Sequence, residues 1–157
     1  MQKFVTPKPA ETQLYQLSQV GGWARRLCLF AGYCKDGIIP DYVIYYLKKL
    51  SMLCEIHYMA DSEVSDKEIA KIQPYVKSAS AVKHNKYDFG SWQELINMLG
   101  WDYIEQFGQL IFANDSCYAP VFPFEDMFIK MEHKNADFWG VTVNNLVKLP
   151  HVQSYFI

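Results

Sequence analysis

Four short stretches combine residue types that could do chemistry. In Ala113-Asn114-Asp115-Ser116 a carboxylate follows directly on the apolar run Leu110-Ile111-Phe112-Ala113. A carboxylate at the mouth of a strand can hold a divalent cation, which in turn binds a diphosphate through its oxygens. Asn, Asp and Ser in succession also serve simply as a turn or a helix cap. The second stretch, Asn85-Lys86-Tyr87-Asp88-Phe89-Gly90-Ser91-Trp92, leads from a short apolar run into a helical pattern. Exposed amides at a helix N-terminus attract phosphate, and Gly90 permits close approach. Asp88 could hydrogen-bond a sugar hydroxyl. The plainer use of this stretch is Asp88 or Ser91 as a cap, with Phe89 and Trp92 in the core. The third, Asp137-Phe138-Trp139-Gly140-Val141-Thr142, sets a carboxylate beside Trp and Gly, which suits the border of a sugar site or a tight strand contact at Gly140. In the fourth, alternation puts His151, Gln153 and Tyr155 on one face and Val152, Ser154 and Phe156 on the other.

Other chemistries are excluded or lack support. His57, His84, His133 and His151 show no zinc-like spacing. Neither a P-loop nor a GxGxxG dinucleotide fingerprint is present. Cys28, Cys34, Cys54 and Cys117 form no CxxC pair, and a reduced, cytoplasmic setting is expected. A phosphate-binding hydrolase using Asp36 or Asp61 at a strand end has no flanking motif behind it. The net charge of −2 argues against a nucleic-acid partner held by bulk charge.

These residues need a scaffold, and the apolar pattern describes one. With 157 residues, half of them hydrophobic, the chain fits a single domain with a real core. Residues 1–24 read as a loose arm, with Leu14 and Leu17 hinting at a short helix, and residues 25–157 as the domain. Strands are expected at Leu27–Ala31, Leu53–Tyr58, Ala79–Val82 and Leu110–Ala113, with further candidates at Phe138–Val143 and Val152–Ile157. Val43, Tyr46, Leu47 and Leu50 recur at helical spacing, as do Trp92, Leu95, Ile96 and Leu99, and Phe124, Met127, Phe128 and Met131. Ser65 to Glu68 and Ser91 to Glu94 have capping-box spacing, and Ile69, Ile72 and Val76 extend a helical face from the first. Alternating strands and helices predict a mainly parallel sheet, with ligands at the carboxyl ends of its strands.

Taken in order, these segments resemble the rhamnan synthesis F family of bacterial polysaccharide glycosyltransferases. The pieces that carry the resemblance are Leu29-Phe30-Ala31 before Asp41-Tyr42-Val43, Asn85 with Tyr87-Asp88-Phe89-Gly90-Ser91-Trp92, Asn114-Asp115-Ser116 with Tyr118 and Pro120, Asp137-Phe138-Trp139-Gly140, and His151 to Phe156. The family commonly has Gly where this chain has Lys86, and its members run beyond the last motif, which implies a shortened chain.

The resemblance implies a GT-A-like, Rossmann-type three-layer α/β/α fold and transfer of a sugar, rhamnose, from a nucleotide-sugar donor to a growing cell-surface polysaccharide. It implies donor binding by Asn85, Asp88, Gly90, Asn114, Asp115 and Ser116, with Asp115 holding Mg²⁺ or Mn²⁺. Asp137 and His151 would act in catalysis, and Trp139 and Gln153 would contact the glycan acceptor. A non-catalytic nucleotide-sugar or glycan-binding module, a shortened remnant of such an enzyme, is the alternative. Peripheral association with the inner face of a membrane and self-association through an uncovered C-terminal strand complete the expectations.

Overall fold

The computed structural model describes residues 25–134, 136–146 and 149–157. The expected N-terminal arm and its short helix lie outside the described residues. The centre of the molecule is β1 (Arg26–Gly32), whose seven residues are all buried. A strand covered on both faces needs an unbroken apolar run rather than alternation. The chain continues through α1 (Asp41–Leu50), β2 (Glu55–Ala60), α2 (Asp66–Ile69), a 3₁₀ turn at Gln73–Tyr75 and β3 (Ser78–Ala81). Then follow α3 (Tyr87–Leu99), α4 (Trp101–Ile104), β4 (Gln109–Asn114), α5 (Phe124–Glu132) and a two-residue ribbon of β5 (Val143–Asn144) and β6 (His151–Val152).

The four long strands pair in the order β3-β2-β1-β4, all parallel. Alternate residues of β1 feed two cores. Cys28 and Phe30 face Val43, Leu47, Phe124, Phe128 and Phe156, whereas Leu27, Leu29 and Ala31 face Trp92, Leu95 and Ile104. Helices α1 and α5 thus cover one face and α3 and α4 the other, giving the expected three-layer α/β/α arrangement. No helix among the described residues is long and apolar enough to cross a membrane.

Several elements differ from the sequence expectation. Helix α3 begins at Tyr87, four residues before Ser91, so Ser91 is a wholly buried residue inside the helix and not its cap. The helical face expected from Ile69 to Val76 stops after one turn. Pro74 lacks an amide donor and disfavours helical backbone at Gln73, and a 3₁₀ turn takes over. Leu53 and Cys54 are buried in the turn after α1, and β2 starts at Glu55.

The C-terminal region forms less sheet than expected. Of the candidate strand Phe138–Val143 only Val143 is in a strand, pairing with Val152, and the next residue, Asn144, pairs with His151. Residues 155–157 leave that ribbon and run antiparallel to β4, with Phe112 and Ile157 exchanging both backbone hydrogen bonds at 2.9 Å. Phe156 is thereby buried between Phe124, Phe128 and Trp139. The apolar C-terminus therefore covers the β4 edge, correcting the picture of an exposed strand waiting to be covered.

Candidate functional site

The chain runs outward from β1 through β2 to β3, then returns to place β4 on the other side of β1. Where strand order reverses, the loops leaving the carboxyl ends diverge and open a crevice. The residues just beyond β1 and β4 are Tyr33 and Asp115, and they meet there. The Tyr33 amide donates to Asp115 Oδ2 at 2.7 Å. On the other side, the Tyr42 hydroxyl of α1 donates to the Asp115 carbonyl at 3.0 Å. Only 8% of Asp115 is exposed, and burial pushes its carboxyl from an ordinary 3.8 up to about 6. The Tyr33 amide opposes that rise, and the negative charge of Asp88 adds to it.

Asp88 reaches the crevice from the first turn of α3. Its Oδ2 accepts from Asn114 Nδ2 at 2.6 Å. Burial raises its pKa, and the Asn114 hydrogen bond works against the rise. Asn114 is fully buried and both of its N–H donors are used: Nδ2 also donates to the Ser154 carbonyl at 3.1 Å, while Oδ1 accepts from the Ser116 amide at 3.1 Å. Both of its N–H donors and one lone pair of Oδ1 go to the protein, so Asn114 orients Asp88 and ties it to the C-terminal segment. The Trp92 indole donates to the Ala113 carbonyl at 3.2 Å, which fixes α3 against the end of β4.

A third carboxylate, Asp61 at the end of β2, organises the loop before α3. Its two oxygens accept from the backbone amides of His84, Asn85, Lys86 and Tyr87 at 2.8–3.0 Å. Asn85 and Tyr87 both adopt φ of +56°, which aims these amides inward. Burial would raise the Asp61 pKa, but the amides of Asn85, Tyr87 and His84, with the His84 ring, outweigh it and hold it low. Asp61 thus caps α3 across the sheet, replacing the local cap that Lys86 does not supply. The sequence pointed to Asp61 only as an unsupported strand-end acid, because its four partners lie 23–26 positions away.

His84 Nε2 lies 3.0 Å from Ser91 Oγ, and His84 Nδ1 lies 3.3 Å from Asp61 Oδ2. This looks like a nucleophilic triad but cannot act as one. Ser91 is wholly buried, and Nδ1 accepts the Lys86 amide at 3.1 Å, the wrong tautomer for a proton relay. Gly90 is used internally: a Cβ there would strike the Lys86 Cβ and come within 2.9 Å of the His84 ring. The close approach it permits is between parts of the chain, correcting the expectation of a glycine open to phosphate.

The structure brings Asp88, Asn114, Asp115 and the backbone of Ser116 together. Asn85 sits on the adjoining loop with its side chain exposed. The remaining site candidates lie apart. Asp137 and His151 are exposed, and His151 Nδ1 lies 3.3 Å from the Leu149 carbonyl oxygen. The Gln153 backbone N–H donates to the Thr142 backbone carbonyl at 3.0 Å within the C-terminal region. Trp139 packs on Phe128 and Phe156 as a wing of the core, which occupies the ring expected to meet an acceptor. No hydrogen bond or ion pair among the described residues links Asp137 or His151 to Asp88 or Asp115.

The family model described as rhamnan synthesis protein F matches residues 56–157, a stretch that holds Asp61, Asp88, Asn114 and Asp115. The chain belongs to the rhamnan synthesis protein F family. No curated protein and no solved structure matches it. Membership gives the crevice a setting in the synthesis of rhamnan-type polysaccharide.

Among the described residues, no three His, Cys, Asp or Glu side chains converge as a ready-made metal cage. The donor set still suits a hard cation that arrives with its ligand. Asp115 and Asp88 raise the charge density of one crevice, and only one oxygen of Asp115 is taken by the Tyr33 amide. Mg²⁺ is commonly held in this way, by one or two carboxylates with substrate phosphates and water completing the shell.

Proposed function

We propose that the chain is a nucleotide-sugar-dependent glycosyltransferase of rhamnan synthesis, transferring rhamnose to a growing polysaccharide. The observation that carries this reading is a buried carboxylate, Asp115, held at the strand-order reversal beside a second one, Asp88. Such a crevice takes the diphosphate end of a donor only with a cation between the negative charges. Asp115 would hold Mg²⁺ or Mn²⁺, which when bound offsets the charge on the departing nucleoside diphosphate.

The chain's own residues supply the rest. The Tyr33 amide and Tyr42 hydroxyl fix Asp115 in place. Asn114 holds Asp88 in one orientation through Oδ2, and among the described residues no side chain bonds Asp88 Oδ1. A carboxylate with a raised pKa, half-buried at the crevice wall, suits removal of the acceptor hydroxyl proton. Asp88 is therefore favoured over Asp137 and His151, which no hydrogen bond or ion pair among the described residues links to Asp88 or Asp115.

The test is release of nucleoside diphosphate from a panel of nucleoside-diphosphate-linked rhamnose and hexose donors, with a rhamnose oligosaccharide as acceptor. Acceptor-dependent release that needs Mg²⁺ or Mn²⁺ and is lost in Asp115→Asn is expected. Binding of nucleoside diphosphate without turnover by any donor would favour the non-catalytic binding module.

A further inference from the structure

We propose that the ring of Tyr118 is a stacking platform for a sugar ring of the acceptor saccharide. This rests on the glycosyltransferase reading of the crevice and names a subsite beside it. Tyr118 lies three residues after Asp115, on the loop that leaves the crevice, and 78% of it is exposed. Exposed aromatic side chains commonly swing freely, but this one is braced. Its ring packs on the Tyr42 ring with centroids 4.4 Å apart at 45°, and the Tyr42 hydroxyl is bonded to the Asp115 carbonyl. The neighbouring Ala119 packs against the core and anchors the loop. One face of Tyr118 is therefore held by α1, while the remainder of the ring stands open within one short loop of the carboxylates.

The chemistry of such a surface selects its ligand. An immobilised aromatic ring loses little entropy on binding and offers a flat, electron-rich face to polarised C–H groups. A pyranose presents such a face, and a 6-deoxy sugar adds a methyl group to it. The diphosphate portion of a donor is accounted for by the crevice at Tyr33 and Asp115, one step inward. Trp139, the other aromatic candidate for an acceptor, is committed to Phe128 and Phe156.

The experiment measures binding of a soluble rhamnose oligosaccharide and, separately, of nucleoside diphosphate with Mg²⁺. It uses the full chain and its Tyr118→Phe, Tyr118→Leu and Tyr118→Ala variants. Saccharide affinity should stay within about twofold in Tyr118→Phe and fall about tenfold in Tyr118→Ala. Tyr118→Leu should resemble the Ala variant while keeping apolar bulk, which guards against a loop that has merely collapsed. Nucleoside diphosphate affinity should be unchanged throughout. Wild-type saccharide affinity in Tyr118→Leu and Tyr118→Ala, or no saccharide binding by the wild type, would overturn the platform. Parallel loss of nucleoside diphosphate affinity would also overturn it, assigning the ring to a nucleobase. Tyr118-dependent saccharide binding without turnover of any donor would keep the platform and remove the enzymatic reading.

Discussion

Asp61 and Asp115 stand at the same edge of one sheet, at the ends of β2 and just beyond β4, and both are almost wholly buried. Their environments push them in opposite directions. Asp61 accepts four backbone amides, which hold its pKa below the ordinary value despite burial. The Asp115 carboxylate accepts one amide from another residue, faces a second carboxylate, and is pushed up to about 6. A buried charge is tolerated when the protein itself satisfies it, and is costly when it does not. Asp61 is thus a finished structural device, whereas the Asp115 carboxylate has far fewer partners within the protein.

The largest expected effect comes from breaking the finished device. Asp61→Ala should cost about 4 kcal/mol of stability, since four amides aimed at one point lose their acceptor together. Urea unfolding monitored by tryptophan fluorescence measures it, and a loss below about 1 kcal/mol would falsify the capping role. The Asp61 contribution is present above the ordinary Asp pKa. It disappears as pH falls through the depressed value of the folded state.

Asp115 should show the opposite sign. Its folded pKa is raised, so the folded state is favoured while the group is protonated, below about pH 4, and that stability is lost as pH rises through about 6. Asp115→Asn removes the titration, keeps an acceptor for the Tyr33 amide, and should stabilise the protein at pH 7–8 by about 2–3 kcal/mol. Unfolding curves of both proteins from pH 4 to 8 provide the check. A difference that does not change with pH would count against an unsatisfied Asp115.

Gly90→Ala sharpens the contrast from the side of packing. The added methyl meets the Lys86 Cβ and the His84 ring and should cost about 2 kcal/mol, with shifts in the amide resonances of residues 84–87. An unperturbed loop would show that the close contact is easily relieved. A smaller effect is expected on ligand affinity: Asp115→Asn should weaken nucleoside diphosphate binding with Mg²⁺ about tenfold, and EDTA should do the same to the wild type. Calorimetry giving equal affinity with and without EDTA would remove the cation from the site. Smallest of all, Asp137→Asn and His151→Ala should each change that affinity by less than about twofold, since no hydrogen bond or ion pair among the described residues ties either to Asp88 or Asp115.

The legibility of these regions in the sequence differed for physical reasons. Leu27–Ala31 and Leu110–Ala113 are recognisable as strands because a parallel strand with helices on both faces needs a continuous apolar run, even where one face is only partly buried, as at Leu110 and Phe112. Val43, Tyr46, Leu47 and Leu50 marked α1 because one helix face meets the core. The start of α3 was misplaced because its cap comes from Asp61, outside the local window in which capping motifs are visible. The sequence leaves Trp139 open to an acceptor because it does not say which aromatic ring will be taken up by Phe128 and Phe156.

By itself, the sequence determined the class of fold, the main helices and strands, and the candidate edge bearing Asp88, Asn114 and Asp115. Those are consequences of hydrophobic period and of polar residues falling at the ends of apolar runs. Only the tertiary structure decided which carboxylate is satisfied and which is not. It also decided that Asn114 is a brace, that Gly90 accommodates His84, and that residues 155–157 close the β4 edge. The Asp61 and Asn114 bonds depend on parallel strands joined by long crossovers, which bring together hydrogen-bonding groups more than twenty residues apart and leave no periodic trace in the chain.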